Sequence, residues 1–302
     1  MDVLSSILET IKLHGIVYRK LVLMSPWAVD TPSGPYVQFW RLVKGKCVIS
    51  IEGQAPIHMK EGDLVLLPLS RPYRISDGQD KRVTSMSDYI RSRQNGTPLF
   101  SDGEEETILL GGHFEFEHKP VHPLISGLPA FIHISSLGSR EHTWLKQTAD
   151  LIFDEINSEK QGSKILVARL AEMLFIHTIR AYIHEGMRTE GFLAALADER
   201  ISIALKMIQD NPEKEWTLDM LAKASGMSRT LFFNKFKDTV GETPLAYLTN
   251  WRVDKAKRLL LTSKENIGTI ATNVGYQSEA AFSRVFKARV NETPAGFRRA
   301  RL

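Results

Sequence analysis

A seventeen-residue pattern that occurs twice in the last third of the chain constrains its fold more than any other feature. Residues 228–244 read SRTLFFNKFKDTVGETP, and residues 278–294 read SEAAFSRVFKARVNETP. The two stretches start 50 residues apart, and Ser, Phe, Phe-Lys, Val and Glu-Thr-Pro fall in step. The similarity extends upstream, where LDMLAKASGMS at 218–228 parallels GTIATNVGYQS at 268–278. We therefore expect two copies of one structural unit, too few for a solenoid, which needs at least about three.

Each copy has the residues that a helix, a tight turn and a second helix require. Gly226 and Gly275 supply the left-handed conformation at which a short helix stops, and the Ser that follows is suited to cap the next helix. In that second helix two phenylalanines stand four residues apart, so they share a face that we expect to be buried against the first helix. These phenylalanines are Phe232 and Phe236, then Phe282 and Phe286. The pattern predicts a helix-turn-helix, whose second helix lies in the DNA major groove.

The segment between the copies predicts a helix of defined length. Residues 244–263 read PLAYLTNWRVDKAKRLLLTS, with Pro at a first helical position. About 18 helical residues at ~1.5 Å each span ~27 Å, and successive major-groove faces lie ~34 Å apart along one side of the duplex. One chain is thus expected to present two recognition helices to adjacent groove segments, as a dimeric helix-turn-helix protein does with two chains.

The charge distribution fits an anionic partner for the same part of the chain. Residues 198–302 hold 18 basic and 12 acidic residues, a net charge of +6, whereas residues 1–197 hold 21 and 23, a net charge of −2. A basic third behind a nearly neutral body is typical of binding to nucleic acid. On charge alone, a solvated basic surface is an equally good interpretation.

Over about residues 198–299 the chain resembles the DNA-binding domain of the AraC/XylS family of bacterial transcription regulators. The second copy carries the family pattern most clearly, and the matching residues are Ala271, Val274-Gly275-Tyr276, Ser278, Phe282-Ser283-Arg284, Phe286-Lys287 and Pro294. The resemblance implies an all-α domain with two helix-turn-helix motifs that binds double-stranded DNA sequence-specifically.

In that family, residues near the start of each recognition helix face the groove. By position, the resemblance implies DNA contacts for Arg229, Thr230, Phe233 and Asn234 in the first helix, and for Glu279, Ala280, Ser283 and Arg284 in the second. Arg can bind guanine through two atoms, Asn can do so with adenine, and Ala can pack on a thymine methyl. Phe233 could instead lie in the core beside Phe232. Glu279 could instead be a first-turn residue that the helix dipole favours, without a role in DNA binding.

Phosphate contacts position a protein on DNA without reading sequence. We expect them from the Lys that follows the second Phe of each pair, Lys237 and Lys287. Arg252, Lys255 and Arg298 are further candidates, and the alternative for each is a solvated surface position.

The front of the chain predicts a β domain. Between residues 16 and 135, short apolar or alternating runs are broken by turn residues, with hairpin-like turns at 44–46 and 61–63 and a long polar loop at 77–106. From Ser139 onward the period becomes helical, with amphipathic runs at 142–160 and 163–186. The run from Gly15 to Ser135, with GDLVLLPLSRPY and LISGLPAFIHI, resembles the cupin-type sensor domain of one AraC subgroup. The expected fold class is α+β: an N-terminal cupin- or jelly-roll-like β-barrel, then helices, then an all-α C-terminal domain with two helix-turn-helix motifs.

The barrel residues favour a small-molecule pocket without a metal or other cofactor. The strand YVQFWRLVKGKCVISIE lacks the His-x-His of metal-binding cupins, and Pro72-Tyr73 stands where many cupins have Pro-His. His113, Glu115 and Glu117 share one face of a predicted strand, and we interpret them as its solvated face rather than as metal ligands. Effector contacts are expected from aromatic residues, with the barrel core as their alternative position: Trp27, Phe39, Trp40 and Tyr73.

The expected domains are a sensor at 1–138, a helical linker or dimerisation region at 139–190 and a DNA-binding domain at 191–302. The helix at 163–186 is apolar on more than one face, and the family resemblance favours a homodimer. Candidate contacts are Leu166, Leu170, Leu174 and Ile176. We expect an effector to shift the population of DNA-binding states, and RNA polymerase to be a partner if the protein is an activator.

The expected compartment is the cytoplasm, with association to the bacterial nucleoid when DNA is bound. The lone Cys47 excludes an intramolecular disulfide, which fits a reducing compartment. The first residues lack the features of a signal peptide, and no apolar stretch approaches the ~20 residues of a membrane span. No enzymatic activity is expected. Two alternatives stay open: a constitutive DNA-binding regulator whose barrel only dimerises and, less favoured, a cupin metalloenzyme with a tethering module.

Overall fold

The computed structural model describes residues 2–11, 13–17, 20–34, 36–68, 71–116, 122–135, 140–158, 160–184 and 191–301. These residues fall into two compact units. The barrel unit comprises residues 13–188, and the helical unit combines residues 1–12 with 189–302. Among the described residues, no helix combines the length and the apolar character needed to cross a membrane.

The barrel unit contains two sheets. Its strands are β1 (Leu13–Val17), β2 (Leu21–Met24), β3 (Ala28–Thr31), β4 (Val37–Lys44), β5 (Cys47–Ile51), β6 (Ile57–Met59), β7 (Leu64–Leu67), β8 (Tyr73–Ser76), β9 (Val83–Ser85), β10 (Glu106–Phe116) and β11 (Ile132–Ile134). The larger sheet has the order β1-β10-β4-β7-β11, with β2 also paired to β10, and the smaller sheet has the order β6-β5-β8-β3-β9. All these pairs are antiparallel except β3 with β9. Two such sheets around one core form the expected jelly-roll-like barrel.

The turns at 44–46 and 61–63 are present, but they do not close hairpins. Gly45 and Gly62 each have φ +89°, the left-handed backbone that favours glycine. The first turn joins β4 to β5 and the second joins β6 to β7, and in each case the two strands lie in different sheets. The hairpin expectation was wrong. Turn residues indicate where the chain reverses direction, but they do not determine which strands pair with each other.

The space between the sheets is filled with side chains. Strand residues alternate between faces, so in β5 the buried Cys47, Ile49 and Ile51 alternate with half-buried Val48 and Ser50. Residues from both sheets join one buried cluster, which includes Leu21, Leu23, Trp27, Val29, Trp40, Leu42, Val65, Leu67, Tyr73, Ile75, Tyr89, Phe100 and Leu109. Burial raises the pKa of the Cys47 thiol to about 12.

Strand β4 is buried on both of its faces. Trp40 belongs to the cluster between the sheets. Phe39 points to the opposite face, where its ring centroid lies 5.3 Å from that of Phe114, which in turn lies 5.0 Å from that of Phe175. The Trp40 ring covers Gly111 of β10 so closely that a Cβ at that glycine would lie 2.2 Å from it. The missing side chain therefore lets the tryptophan lie flat on the neighbouring strand.

Helices α4 (Arg140–Ser158) and α5 (Ser163–His184) cover the outer face of the larger sheet. A Cβ at Gly15 of β1 would lie 2.6 Å from the Cβ of Ala171, so α5 packs tightly on this strand. Arg41 of β4 forms an ion pair with Asp150 of α4, with 2.7 Å between Nη2 and Oδ1. The helices expected to form a separate region at 139–190 therefore belong, in their described part, to the barrel unit.

Residues 77–106 contain more regular structure than the predicted long loop. Strand β9 pairs with β3 in parallel, and helix α2 (Met86–Gln94) follows it directly. The side chain of Ser85 caps α2 by accepting a hydrogen bond from the Asp88 backbone N–H. Tyr89 is the buried residue of α2, and its ring stacks on Phe100 at 6.2 Å. A helix with one buried residue has no apolar period, so the sequence pattern did not reveal it. A short helix α3 (Pro123–Ser126) also lies in this unit.

The helical unit contains the first helix of the chain together with the C-terminal helices. These are α1 (Val3–Ile11), α6 (Gly191–Ala197), α7 (Glu199–Asp210), α8 (Leu218–Ala224), α9 (Arg229–Val240), α10 (Pro244–Thr262), α11 (Ile267–Asn273), α12 (Glu279–Val290) and α13 (Pro294–Arg299). Helix α1 buries Ile7 and Ile11 and packs against α7 and α10, and its Glu9 lies 3.8 Å from Arg258. The structure thus differs from the expected boundary, which placed residues 1–138 together in the sensor.

Helix α10 joins two cores within the helical unit. Its first half contributes Tyr247 and Trp251, and Tyr247 packs edge-on against Phe236 of α9 with 6.0 Å between ring centroids. Its second half contributes Val253, Ala256 and Leu260 to a cluster with α11, α12 and α13. The predicted connecting helix therefore separates one packed copy of the repeat from the other.

Candidate nucleic-acid interface

The first copy of the repeat forms the predicted helix, turn and helix. Helix α8 ends before Gly226, whose φ is +60°, and the Met227 N–H donates to the Ala222 carbonyl at 3.0 Å. This bond closes a left-handed helix stop. The Ser228 hydroxyl then accepts from the Leu231 N–H at 3.4 Å and caps α9.

The second copy repeats this geometry. Gly275 has φ +88°, and the Tyr276 N–H donates to the Ala271 carbonyl at 2.9 Å. The Ser278 hydroxyl accepts from the Ala281 N–H at 3.2 Å and caps α12. The prediction of two helix-turn-helix motifs is confirmed in both copies.

The paired phenylalanines fix the orientation of each recognition helix. Phe232 and Phe236 are fully buried, as are Phe282 and Phe286, and the ring centroids of each pair lie 5.5 Å apart. Replacing one buried phenylalanine by alanine typically costs about 3–5 kcal/mol. Rotation of either helix about its axis would expose such a pair, so packing determines which side chains face outward.

The outward ridge of α9 carries Thr230, Asn234 and Lys237, all exposed. At about 100° per residue, these three lie within about 60° of one another and face away from the phenylalanines. The corresponding ridge of α12, 50 residues further on, carries the exposed residues Ala280, Arg284 and Lys287. Each ridge thus combines a base-reading type, Asn or Arg, with a Lys suited to a phosphate.

The other predicted contacts lie at the edges of these ridges. Phe233 and Ser283 are half-buried, so Phe233 is only partly in the core that was its alternative position. Arg229 is exposed and forms an ion pair with Asp219 of α8, at 2.9 Å between Nη1 and Oδ2. Glu279 is exposed in the first turn of α12. A base contact by Arg229 would therefore compete with its own carboxylate partner.

Arg252 and Arg298, two further candidates for phosphate contacts, bind carbonyl groups of their own unit instead. The Arg252 Nε donates to the Pro212 carbonyl at 2.6 Å, and its Nη2 donates to the Lys214 carbonyl at 3.0 Å. The Arg298 Nε donates to the Leu260 carbonyl at 3.0 Å, near the end of α10. Burial lowers the pKa of the Arg252 guanidinium. The nearby Tyr276 and acidic groups act to raise this pKa, but the effect of burial is larger. The sequence showed that these residues are basic but not that carbonyls face them.

The prediction overlooked Asp238 on α9. This exposed acid follows Lys237 and lies one turn beyond Asn234, on the side of the outward ridge. The corresponding residue of α12 is Ala288. Alignment of the two copies would have shown an acid where the other copy has none, beside the outward ridge of α9.

Three of the four aromatic residues expected to contact an effector lie between the sheets. The Trp40 Nε1–H donates to the Tyr73 hydroxyl at 2.8 Å, and that hydroxyl donates to Oε1 of Gln38 at 2.8 Å. The Trp27 Nε1–H donates to the Thr107 hydroxyl at 3.2 Å. Phe39 faces the helices on the other side of the sheet, away from these three.

A cavity of about 210 Å³ reaches this network from the rim of the barrel. Tyr73, Leu67 and Ile51 form its buried wall. Arg71 stands exposed at its edge, and no hydrogen bond or ion pair engages this side chain in the described part of the chain. The remaining lining residues are Pro68, Ile125, Ser126, Leu128, Pro129 and Ala130. A cavity lined by apolar side chains and polar groups together, with one cation at its mouth, suits a small molecule that has both characters.

Two histidines of the barrel unit lie within hydrogen-bond distance of carboxylates. His113 lies 3.2 Å from a carboxylate oxygen of Glu115, and His133 lies 2.9 Å from one of Asp63. Within the described ranges, no group of three or more His, Cys, Asp or Glu side chains is placed to hold a metal ion. Glu117, the third residue of the predicted polar face, lies outside the described residues.

The helical unit is thus a DNA-binding domain of the helix-turn-helix class with two recognition helices, and it is joined in one chain to a jelly-roll-like barrel. Family models match both parts: one described as cupin matches residues 2–184, and one described as helix-turn-helix domain matches residues 221–300.

Proteins of similar length also match the whole chain. A putative AraC-like transcription regulator of Streptomyces lividans is 30% identical over 302 residues, which cover 99% of this chain and 98% of that protein. The HTH-type transcriptional regulator AlkR of Acinetobacter baylyi is 30% identical over 303 residues and 99% of each chain. A solved structure, the DNA-binding domain of AdpA in complex with a target DNA, is 29% identical, covers 34% of this chain and 92% of its own, and has a TM-score of 0.32.

The chain belongs to the AraC family of transcription regulators, with a cupin domain before its DNA-binding domain. It is a DNA-binding transcription regulator, and the expectations of fold class, family and function are confirmed. The full-length relatives named above are also regulators, which agrees with the expectation that the chain is not an enzyme.

Proposed function

We propose that a small molecule bound in the rim cavity of the barrel unit controls DNA binding by this regulator. The cavity of about 210 Å³ carries this proposal, because it is the place where a ligand reaches the buried hydrogen-bond network of the barrel. It is smaller than the ~300–1,000 Å³ of sites for drug-sized ligands, so it suits a compact molecule. The apolar wall and the Arg71 guanidinium at the mouth favour an apolar molecule with one acidic group.

The ligand acts through Tyr73, the one predicted effector residue that lines the cavity. The Tyr73 hydroxyl is bonded to Gln38 and Trp40, which lie on β4. The opposite face of β4 carries Arg41, which pairs with Asp150 of α4. A ligand that displaces Tyr73 is therefore expected to move β4, which α4 contacts through the Arg41–Asp150 ion pair, and to shift the population of DNA-binding states.

The test is a thermal-shift screen of the full-length protein with small organic acids and their amides. An acid that fits is expected to raise the midpoint of unfolding, since a ligand at about 100 times its Kd adds ~2.7 kcal/mol. Ala130→Trp, at the exposed rim, should abolish the shift by filling the mouth, and Arg71→Gln should reduce it for acids only. Arg91→Gln on α2 is the matched control. A shift that survives Ala130→Trp would place the ligand elsewhere, and the absence of any shift would favour the constitutive alternative.

We also propose that α4 and α5 pair with a second copy of the chain. Leu170 and Leu174, two of the predicted contacts, are buried within their own unit, whereas Leu166 is 48% exposed and Ile176 is half-buried. Leu166 is accompanied on the same face of α5 by Met173, and α4 exposes Trp144 and Leu151, seven residues apart. The exposure of these apolar side chains supports the proposed dimer, because a second copy would bury them.

Sedimentation at micromolar concentration tests the dimer. The double variant Leu166→Lys and Met173→Lys is expected to be monomeric, because each Lys would be buried unpaired in the interface. Ile90→Lys on α2, also an exposed apolar position, should leave the dimer intact. A wild-type protein that sediments only as a monomer would refute this part of the proposal.

The proposed DNA contacts are those of the two ridges, with base contacts by Thr230, Asn234, Ala280 and Arg284 and phosphate contacts by Lys237 and Lys287. Arg229, Phe233, Glu279 and Ser283 remain proposed at the edges. The proposed setting is the bacterial cytoplasm and nucleoid, with RNA polymerase as partner if the protein activates. Selection of genomic fragments by the purified protein at moderate salt tests the contacts. Two short sequence blocks about one helical turn apart are expected, whereas binding that falls steeply with salt for every fragment would indicate non-specific attraction.

A further inference from the structure

The segment before the first helix-turn-helix motif is folded against the second. This 211–216 loop, NPEKEW, connects α7 to α8. It is closed on itself, because the Trp216 Nε1–H donates to the Asn211 carbonyl at 2.9 Å and the Lys214 ammonium lies 4.3 Å from the Trp216 ring centroid. The loop is thus a compact element that leads directly into the first motif.

Two contacts tie this loop directly to the second motif, and a third joins that motif to Arg252 of α10. A Cβ on Gly275, in the turn of that motif, would lie 2.7 Å from the Cα and carbonyl oxygen of Glu213, so the two backbones touch. The Gln277 side-chain amide donates to the Glu215 carboxylate at 2.8 Å. The Tyr276 ring lies 5.5 Å from the Arg252 guanidinium, within the range of a cation–π contact.

Arg252 is at the centre of these contacts. It stands on α10 between Trp251, which packs with the first core, and Val253, which packs with the second. Its guanidinium donates to the carbonyls of Pro212 and Lys214 at 2.6 and 3.0 Å. One side chain of α10 therefore contacts both the loop before the first motif and the turn of the second.

We propose that Arg252 is a positioning residue that holds the two recognition helices at one separation and one angle, so that the protein accepts two DNA blocks at a single spacing. Without the contacts of the 211–216 loop and Arg252, helix α10 would be the only connection between the two cores in the described part of the chain, and a small rotation at its middle would change the angle between the two ridges. The planar guanidinium donates two hydrogen bonds to the 211–216 loop and lies within cation–π range of Tyr276 in the second motif, and together these contacts oppose that rotation. Arg252 acts on specificity through geometry and makes no base contact.

Spacing dependence on DNA measures this role directly. Each inserted base pair moves the second block by ~3.4 Å along the axis and turns it by about 34–36°. The probes are duplexes that carry the two blocks selected by the wild-type protein, at the selected spacing, with one base pair added or removed, and with either block scrambled. The proteins are the full-length wild type, Arg252→Met and Gln277→Ala. Arg258→Met serves as the control, an exposed arginine on the same helix.

For the wild type and Arg258→Met, a change of one base pair is expected to weaken binding at least about tenfold. For Arg252→Met the same change should weaken it less than about threefold, while binding to single-block duplexes stays within about twofold of the wild type. Gln277→Ala, which removes one exposed tie, should lie between them and keeps the proposal testable if Arg252→Met unfolds. An unchanged spacing penalty in both variants would overturn the proposal. So would equal losses on single-block and double-block probes, or a wild type that tolerates every spacing.

Discussion

Gly226 and Gly275 occupy the same position in the two copies of the repeat, yet their replacement by alanine should have different consequences. Both have positive φ, +60° and +88°, and a left-handed conformation costs a residue with a Cβ roughly 1–2 kcal/mol. At Gly226 that strain is the whole effect, because no atom lies within 4 Å of the added Cβ. We therefore expect Gly226→Ala to lower the free energy of unfolding of the helical unit by about 1–2 kcal/mol.

At Gly275 the same strain is joined by a steric conflict. The added Cβ would lie 2.7 Å from the Glu213 Cα and carbonyl oxygen and 2.7 Å from the Arg252 Nη2. Backbone atoms cannot withdraw as a flexible side chain can, so the 211–216 loop must shift and the bonds from Arg252 must lengthen. A hydrogen bond to a charged group contributes about 1.5–3 kcal/mol. The expected loss for Gly275→Ala is therefore about 3–5 kcal/mol.

Scanning calorimetry of the full-length variants measures the difference. The transition of the helical unit is identified as the one that a selected duplex shifts upward. For a unit of this size, 1 kcal/mol corresponds to roughly 3–6 °C in Tm. We expect a reduction of about 3–12 °C for Gly226→Ala and of about 9–30 °C for Gly275→Ala. Equal shifts in the two variants would show that the 211–216 loop yields freely, and would refute the argument that it braces the second motif.

Four further outcomes are expected. Arg284→Ala should weaken specific DNA binding by about 1–3 kcal/mol with an unchanged circular dichroism spectrum, and an unchanged affinity would remove it from the proposed contacts. Asp238→Asn should strengthen binding a few-fold, more at low salt, because an acid near the phosphates is neutralised; no change at low salt would count against its placement. Cys47 should react with thiol reagents only on unfolding, since burial raises its pKa to about 12. Burial lowers the pKa of His122 to about 3, so the unfolded chain binds the extra proton and the stability of the barrel unit should fall as the pH drops from about 6.5 towards 3. The His122 Nδ1 accepts from the Leu124 N–H at 3.0 Å and caps α3. His122→Asn, whose side-chain oxygen can take over this cap, should make that decline shallower in acid unfolding curves.

The helix-turn-helix motifs could be predicted in detail because their determinants are local. A glycine stop, a serine cap and two phenylalanines four residues apart act within about one turn of helix, and Gly275, Ser278 and Phe282 have the predicted conformations and burial. The repeat gave each inference a second, independent instance. The outward ridges followed because the buried phenylalanines determine the opposite face.

Contacts between distant residues could not be predicted in this way. The role of Arg252 depends on carbonyls 38 and 40 residues away, and a basic residue shows no preference in sequence between a phosphate and a carbonyl. The placement of α1 beside α7 and α10 depends on partners about 200 residues later in the chain. Phe39 was expected in the barrel interior, but β4 is buried on both faces, so alternation carries no information about which side it takes.

The two copies agree in their cores and differ on their surfaces, which bears on how this regulator meets DNA. Phe, Ser and Thr-Pro repeat in register, whereas Asn234 and Asp238 of the first ridge correspond to Arg284 and Ala288 of the second. A symmetric dimer of helix-turn-helix proteins reads the same block twice, so it binds equally well in either direction. Two unlike ridges held in one chain read two unlike blocks, so exchanging the order of the blocks destroys the match. Such a protein binds its site in one orientation only, and that orientation follows from the order of the two blocks in the DNA.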